Sequence, residues 1–314
     1  GMLFYVVPII GNNIIRATGD TLTPSVVMIV SVAVNGVLDP LLIFGWGPIP
    51  ALGISGAAIA TVLARGITLV VALCILHFRE HLLTRPWPGR RALADSWRSI
   101  LRIGLPVAFS NAVIPVALGL ITRIVTRFDA EVVAGFGVAT RVEGFGLAVI
   151  YALSSGISPF VGQNFGAGRI ERIEAGLRYA KIFCMGWGAL LFVVFVFFAR
   201  PLASYFDSDP TVVQTASLYL WIVSVSLGLR AIHLVVWTSL NVLGRPYDAM
   251  FLEMLLAFGL WIPLALIGAR VAGIAGVYCG LSAANIIAGT AAHVWVSRVT
   301  AGKRRQIETS DGDA

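Results

Sequence analysis

Asp39 is the only charged residue in the stretch 23–45, TPSVVMIVSVAVNGVLDPLLIFG, and its surroundings limit what it can do. A carboxylate in so apolar a run is costly to hold in hydrocarbon, so it faces a cavity or a partner. Asn35 precedes it by four residues, one helical turn, which puts both polar side chains on one face. Pro40 has no N–H, so the carbonyl of Gly36 loses its helical donor and becomes a further oxygen on that turn, where the helix can also bend as a gate. Carboxylate, amide oxygen and freed carbonyl together suit either of two chemistries: a Na+ site with Asp39 and Asn35 as metal ligands, or a proton shuttle on Asp39. Thr61, on the next apolar run, lies roughly 12 Å down that run from Gly53, close to the depth of Asp39. It is the candidate third ligand, although a helix hydroxyl is equally able to bond its own backbone. Arg65 lies about 6 Å deeper and is placed to act as a counter-ion reaching toward the carboxylate, or as an anchor.

The second half of the chain offers Asn111, Arg141, Glu143, Arg230 and His233 as polar groups within apolar runs. Arg141 and Glu143 are two residues apart and cannot face each other on a helix, so each needs another partner. A lone histidine in a span, as His233 is, more often satisfies a core than relays protons. Glu253 stands near a helix start, where the dipole and headgroup water account for it. Cys74, Cys184 and Cys279 are isolated in apolar runs, which implies neither a disulfide framework nor a zinc site. No histidine cluster, HExxH, nucleophile elbow or phosphate-binding glycine loop is present, so an integral-membrane enzyme is the weakest class.

These side chains need elements that lie in a membrane. The 314 residues are 58% hydrophobic and 12% charged, with a mean hydropathy of +0.87. A soluble chain carries about 25% charged residues to wet its surface. Apolar runs between polar or Gly/Pro punctuation give nine helices, at 2–17, 23–45, 52–78, 101–127, 131–160, 174–199, 211–240, 246–269 and 271–298. The 131–160 run is too long for a straight crossing, and Gly156 and Pro159 imply a kink or an extension beyond the bilayer. The segment 79–100, rich in arginine and carrying Pro86 and Pro88, is the one long polar connector. It divides the chain into a partial first lobe of three helices (1–78) and a second lobe of six (101–298), followed by a polar tail (299–314). Alternating the loops puts 16 of the 23 basic residues on one side, including the connector, Arg16, Arg169–Lys181, Arg245 and the tail. That side is cytoplasmic by the positive-inside bias, and the same bias explains the net charge of +7 without a nucleic-acid partner. Location in the inner, plasma membrane is expected.

The chain also resembles itself. Residues 40–60 match 263–280, with Pro40 opposite Pro263, Gly45 opposite Gly268, and Gly53 and Gly56 opposite Gly273 and Gly276. Upstream, Gly19 falls opposite Gly244. Near-constant offsets of 220 to 225 residues imply two parallel repeats of six helices, as in alternating-access transporters. On this reading the partners of 101–199 lie before residue 1. The prolines match across the repeat, whereas Asn35 and Asp39 fall opposite Phe258 and Ile262, which favours a functional role for the polar pair.

Four segments carry a family resemblance: NNIIRATGDTLTP (12–24), NGVLDPLLIFGWGPIPALGISGAAIATVLAR (35–65), GVATRVEGFGLAV (137–149) and SPFVGQNFGAGR (158–169). Together they resemble the multidrug and toxic compound extrusion (MATE) family of cation-coupled antiporters. The resemblance implies an all-α, two-bundle transporter of twelve helices, of which this chain looks like helices four to twelve. It implies outward movement of organic, often cationic, amphiphiles by alternating access, driven by Na+ or H+, in a monomer that needs no cofactor beyond the coupling ion. Asn35 and Asp39 match an Asn-x-x-x-Asp pair that forms part of the first-lobe cation site in the DinF-like branch. Branches with a second-lobe site use acids on helices seven and ten, but 101–127 and 211–240 contain none. The alternative is a lipid or lipid-linked oligosaccharide flippase of the same superfamily. A flippase should line its cleft with basic residues, and here most arginines sit in loops.

Overall fold

The computed structural model describes residues 2–45, 50–83 and 89–312. Residues 46–49 of the first repeat copy, Pro86 and Pro88 of the connector, and 313–314 of the tail lie outside the described residues. Among the described residues every regular element is a helix: α1 Met2–Ala17, α2 Leu22–Phe44, α3 Ile54–Cys74, α4 Gly89–Val125, α5 Ala130–Gly166, α6 Ile170–Phe206, α7 Pro210–Val223, α8 Leu227–Val242, α9 Pro246–Met254 and α10 Ile262–Gly312. Three short stretches depart from α geometry. A π turn, Ile75–Arg79, extends α3; a 3-10 turn, Ser224–Ser226, joins α7 to α8; and a π segment, Leu255–Trp261, joins α9 to α10.

Seven helices among the described residues are long and apolar enough to cross a bilayer. The last of them, Pro246–Arg304, reverses direction, because Ala272 (φ −140°, ψ 26°) and Gly273 (φ 59°, ψ −139°) leave the helical region. The reversal lets Gly268 and Gly276 pack backbone to backbone: a Cβ on Gly276 would lie 2.0 Å from the Gly268 carbonyl oxygen. The chain is therefore an all-α, polytopic membrane protein, and the turn falls where the sequence places the boundary between its last two spans. α1, at 16 residues, spans only about 24 Å and is the one segment short of a full crossing.

Contacts divide the chain into two units, Gly1–Arg90 and Arg91–Ala314. In the first, α1, α2 and α3 pack on one another. Asp20 closes the turn before α2 by accepting the Thr23 N–H (2.9 Å), and Arg79 at the end of the α3 extension pairs with that carboxylate at 2.9 Å. α2 and α3 approach closely because Gly56 has no Cβ, which would meet the Leu42 carbonyl oxygen at 2.3 Å. In the second unit one continuous core is built from α5, α6, α7, α8 and α10, with Ile150, Ile173, Leu220, Leu240 and Tyr278 at or near complete burial. α7 starts cleanly, since Asp209 accepts from the N–H groups of Thr211 and Val212 and Pro210 occupies the first turn.

Helix lengths depart from the sequence reading. α4, α5 and α6 are each 37 residues, longer than the bilayer requires, and residues 89–100, read as connector, form the first three turns of α4. Pro159 sits inside α5 without ending it. The run 211–240 is not one helix but two, separated by the 3-10 turn at mid-span.

Candidate functional site

Two groups of polar side chains lie inside the apolar helices, one in each unit. In the first, the Asn35 side-chain amide donates to Asp39 Oδ1 at 3.3 Å, both residues being half-buried on α2. Pro40 follows inside the same helix, so the turn that ends with Asp39 carries the freed Gly36 carbonyl the sequence implies. The register of α3 against α2 is fixed by Gly56 at Leu42 and by the Thr68 hydroxyl donating to Ser31 Oγ at 2.7 Å. This register sets Thr61 level with residues 37–38, within a turn of Asp39. Its hydroxyl, however, donates to the Ala57 carbonyl of its own helix at 2.9 Å, the backbone-bonded state rather than the ligand state. The Arg65 side chain is engaged elsewhere than at Asp39. Its guanidinium stacks on the Tyr5 ring of α1, 4.3 Å from the centroid, because the helix carries it to a deeper level facing α1. There it lines a cavity of about 260 Å³ with Tyr5, Asn12, Arg16, Ser31 and Thr68. Asn12, 7% exposed, leaves its Oδ1 without a partner in that cavity.

The second group is larger and more deeply enclosed. Glu143 on α5 accepts a short hydrogen bond from the Tyr219 hydroxyl on α7. Tyr219 packs edge-on against Tyr278 of α10, with centroids 5.0 Å apart. Arg230, 7% exposed on α8, lies over the Trp261 ring at 5.2 Å, and its Nη1 has no hydrogen-bond partner. The Trp261 indole N–H donates to Asn285 Oδ1 (3.0 Å), and the Asn285 amide donates to Ser226 Oγ in the 3-10 turn (3.1 Å). One turn along α8 from Arg230, His233 Nε2 lies 2.9 Å from Glu253 Oε2, a pair with side chains 1% and 7% exposed. Arg230 shares a cavity with Glu143 and stands one turn from His233, the partner of Glu253. Glu143, Arg230, Tyr219, Trp261 and Asn285 border one cavity of about 160 Å³, whose α4 side is apolar.

Three of the five second-half candidates thus come together, and two do not. Asn111 is exposed and bonds the Val107 carbonyl of its own helix at 3.0 Å. Arg141, two positions from Glu143, is exposed on the other face of α5. Glu253, expected to be satisfied by the helix dipole and headgroup water, is instead 5% exposed and is the partner of His233. Tyr219, Trp261 and Asn285 carried no sequence signal beyond being polar-tipped residues in apolar runs. The π segment Leu255–Trp261 ends on Trp261, and π bulges are frequent at functional sites, but no composition rule announces one. Among the described residues no group of three or more His, Cys, Asp or Glu side chains is arranged to hold a metal.

A model of the MatE family matches residues 106–267. The chain is 34% identical over 299 residues to a protein of Shewanella oneidensis named FAD transporter, covering 95% of this chain and 66% of that one. It is 25% identical over 295 residues to the probable multidrug resistance protein NorM of Thermotoga maritima, covering 92% and 63%. Among solved structures, the Vibrio cholerae MATE transporter VcmN in its bent form superposes with a TM-score of 0.84 at 31% identity, covering 92% of this chain and 65% of that one. A Pyrococcus furiosus transporter of the MOP superfamily, at 22% identity and a TM-score of 0.85, shares the fold. The chain thus spans about two thirds of the length of these proteins. With the family model covering just over half of its residues, the chain belongs to the MatE family.

Proposed function

We propose that the chain works in a secondary exporter that moves small organic molecules out of the cell against inward Na+ or H+. The observation that carries this reading is the Asn35–Asp39 pair on the proline turn of α2, one carboxylate and one amide joined at 3.3 Å in an otherwise apolar helix. Family membership supplies the transport context, since relatives carry multidrug resistance or multidrug export names. Cation binding at Asp39 would replace the Asn35 hydrogen bond with a ligand or a proton, and the Pro40 turn gives the helix a place to bend as it does so. Thr61 would join as a ligand only after breaking its bond to Ala57. The basic residues of the connector and the C-terminal tail support a cytoplasmic location for both, with the helices in the inner membrane.

A second reading of the cargo is favoured by the Shewanella relative, whose name specifies FAD, an anionic molecule with planar ring systems. The two cargo classes are separable with defined probes. Cells expressing the full-length protein are loaded with ethidium or supplied with riboflavin as FAD precursor, and export of each is measured. Asp39→Asn should abolish cation-driven export of whichever probe is exported, with membrane insertion unchanged. Export by Asp39→Asn with unchanged cation dependence would overturn the coupling role.

A further inference from the structure

The polar group in the second unit has an imbalance of charge, with Glu253 buried and Glu143 half-buried at its cavity. It holds two carboxylates, Glu143 at the cavity and Glu253 beside His233, and one obligatory cation, Arg230. His233 is the only other group able to supply positive charge, and its Nδ1 is buried without a partner. A proton there would be an unsatisfied buried donor, so the neutral imidazole, donating through Nε2 to Glu253 at 2.9 Å, is the form the packing fits. With His233 neutral and both acids ionised, the cluster carries a net charge of −1 in an apolar interior. One further monovalent cation brings it to zero.

We propose that Glu143 is an exchangeable proton site, distinct from Asp39, and that protonation is what balances the cluster. Three features place the proton on Glu143 and not on Glu253. Glu253 already receives the His233 N–H, whereas Glu143 has only the Tyr219 hydroxyl. Glu143 borders the 160 Å³ cavity, which has room for the waters that carry protons. Arg230 borders the same cavity with a free Nη1 and makes no ion-pair contact with Glu143, the arrangement expected when that carboxyl is neutral. On release, the O–H bond of the Glu143 carboxyl breaks, the proton passes to cavity water, and the electron pair stays on the carboxylate. The new anion then draws the guanidinium of Arg230 across from Trp261. Release would thereby pull on α8 just beyond the 3-10 turn at Ser224–Ser226, where the span is already discontinuous. The ionisable groups facing Glu143 are Tyr219 from α7, Tyr151 from its own helix, Arg230 from α8 and, behind Tyr219, Tyr278 from α10; the described α4 residues on the cavity are apolar. As a coupling element the site rests on the transport reading above, but proton binding does not.

Infrared difference spectroscopy of the purified chain reads it directly, without transport. The C=O stretch of a protonated buried carboxyl should appear at low pH, vanish reversibly as pH rises, and move on labelling with [13C]glutamate. It should be missing in Glu143→Gln and still present in Asp39→Asn. In Arg230→Gln, losing the nearby cation, the band should survive to higher pH by about 1–3 units, and Arg230→Lys should restore the original range. A band insensitive to glutamate labelling, one retained in Glu143→Gln, or one discharged by Na+ at constant pH would overturn the assignment. Labelling marks Glu253 as well as Glu143, so Glu143→Asp is the second variant: any band it keeps should be insensitive to [13C]glutamate, and a band still shifted by the label would also overturn the assignment.

Discussion

Gly276→Ala tests the helical reversal that makes the last two limbs of the second unit. The added Cβ would lie 2.0 Å from the Gly268 carbonyl oxygen, 2.6 Å from its carbon and 3.0 Å from its Cα. Non-bonded heavy atoms rest at about 3.5–4.0 Å, so the two limbs of α10 must part by roughly 1.5 Å or more. All three obstructing atoms are backbone, and no rotamer can move them aside. Overpacking of this kind costs about 1–3 kcal/mol, and rigid obstruction on both sides puts this site at the upper end. Replacing a helical glycine offsets up to about 1 kcal/mol, which leaves a net loss near 2 kcal/mol. For a unit of this size that is a fall of about 4–8 °C in the apparent melting temperature, read by tryptophan fluorescence or by loss of the monodisperse peak in detergent. Gly119→Ala is the control, since its Cβ meets nothing within 4 Å inside α4. It should be neutral or raise the melting temperature slightly. If Gly276→Ala behaves like Gly119→Ala, the close backbone approach is wrong and the limbs do not pack as described.

Two further outcomes follow from the same structure. His233→Leu leaves Glu253 buried and unpaired and should destabilise the second unit by about 3–5 kcal/mol, whereas His233→Leu with Glu253→Leu should recover most of that loss; equal stability of the single variant and the parent would show that the pair carries no such strain. In a background lacking the three native cysteines, new cysteines at Gly89 and Gly302 should be protected from an impermeant thiol reagent in intact cells while one at Ser208 reacts, and labelling at Gly89 would invert the orientation.

Helix positions were legible because hydrocarbon imposes a length, and a run of about 20 apolar residues is hard to mistake. Helix ends were not. The apolar signal stops at the edge of the bilayer, but nothing requires the backbone to stop there, and so α4, α5 and α6 each continue into polar sequence such as 89–100 and 161–166. The interruptions at Ser224–Ser226 and Leu255–Trp261 were also out of reach, since both consist of ordinary membrane residues whose hydrogen-bond register is set by neighbouring helices. In the same way Asp39 announced itself as a lone charge in an apolar run, while Glu253, two turns into its span, was masked by its nearness to the start at Pro246. Tyr219, Trp261 and Asn285 reach Glu143 and Arg230 only through pairings across separate helices, which no local spacing encodes.

The internal repeat shows which physical demands two copies of a bundle share. At the tight turn Gly53 adopts φ 57°, ψ −134° and Gly273 adopts φ 59°, ψ −139°, a conformation in which any Cβ is strained. Gly56 and Gly276 each lie where a Cβ would strike the carbonyl of the preceding helix, and Gly19 and Gly244 both have positive φ at their helix turns. These devices belong to the backbone, and both copies keep them because any pair of helices reversing this tightly needs them. The polar groups follow no such rule. Asn35 and Asp39 have Phe258 and Ile262 opposite them, and of the acids of the second unit Glu253 falls opposite Val30 on the matching span while Glu143 stands on another helix altogether. Burying a carboxylate is costly in either copy, so a group that only stabilised the bundle would be expected in both or in neither. Its presence at a different place in each copy is what separate chemical roles for the two units would produce.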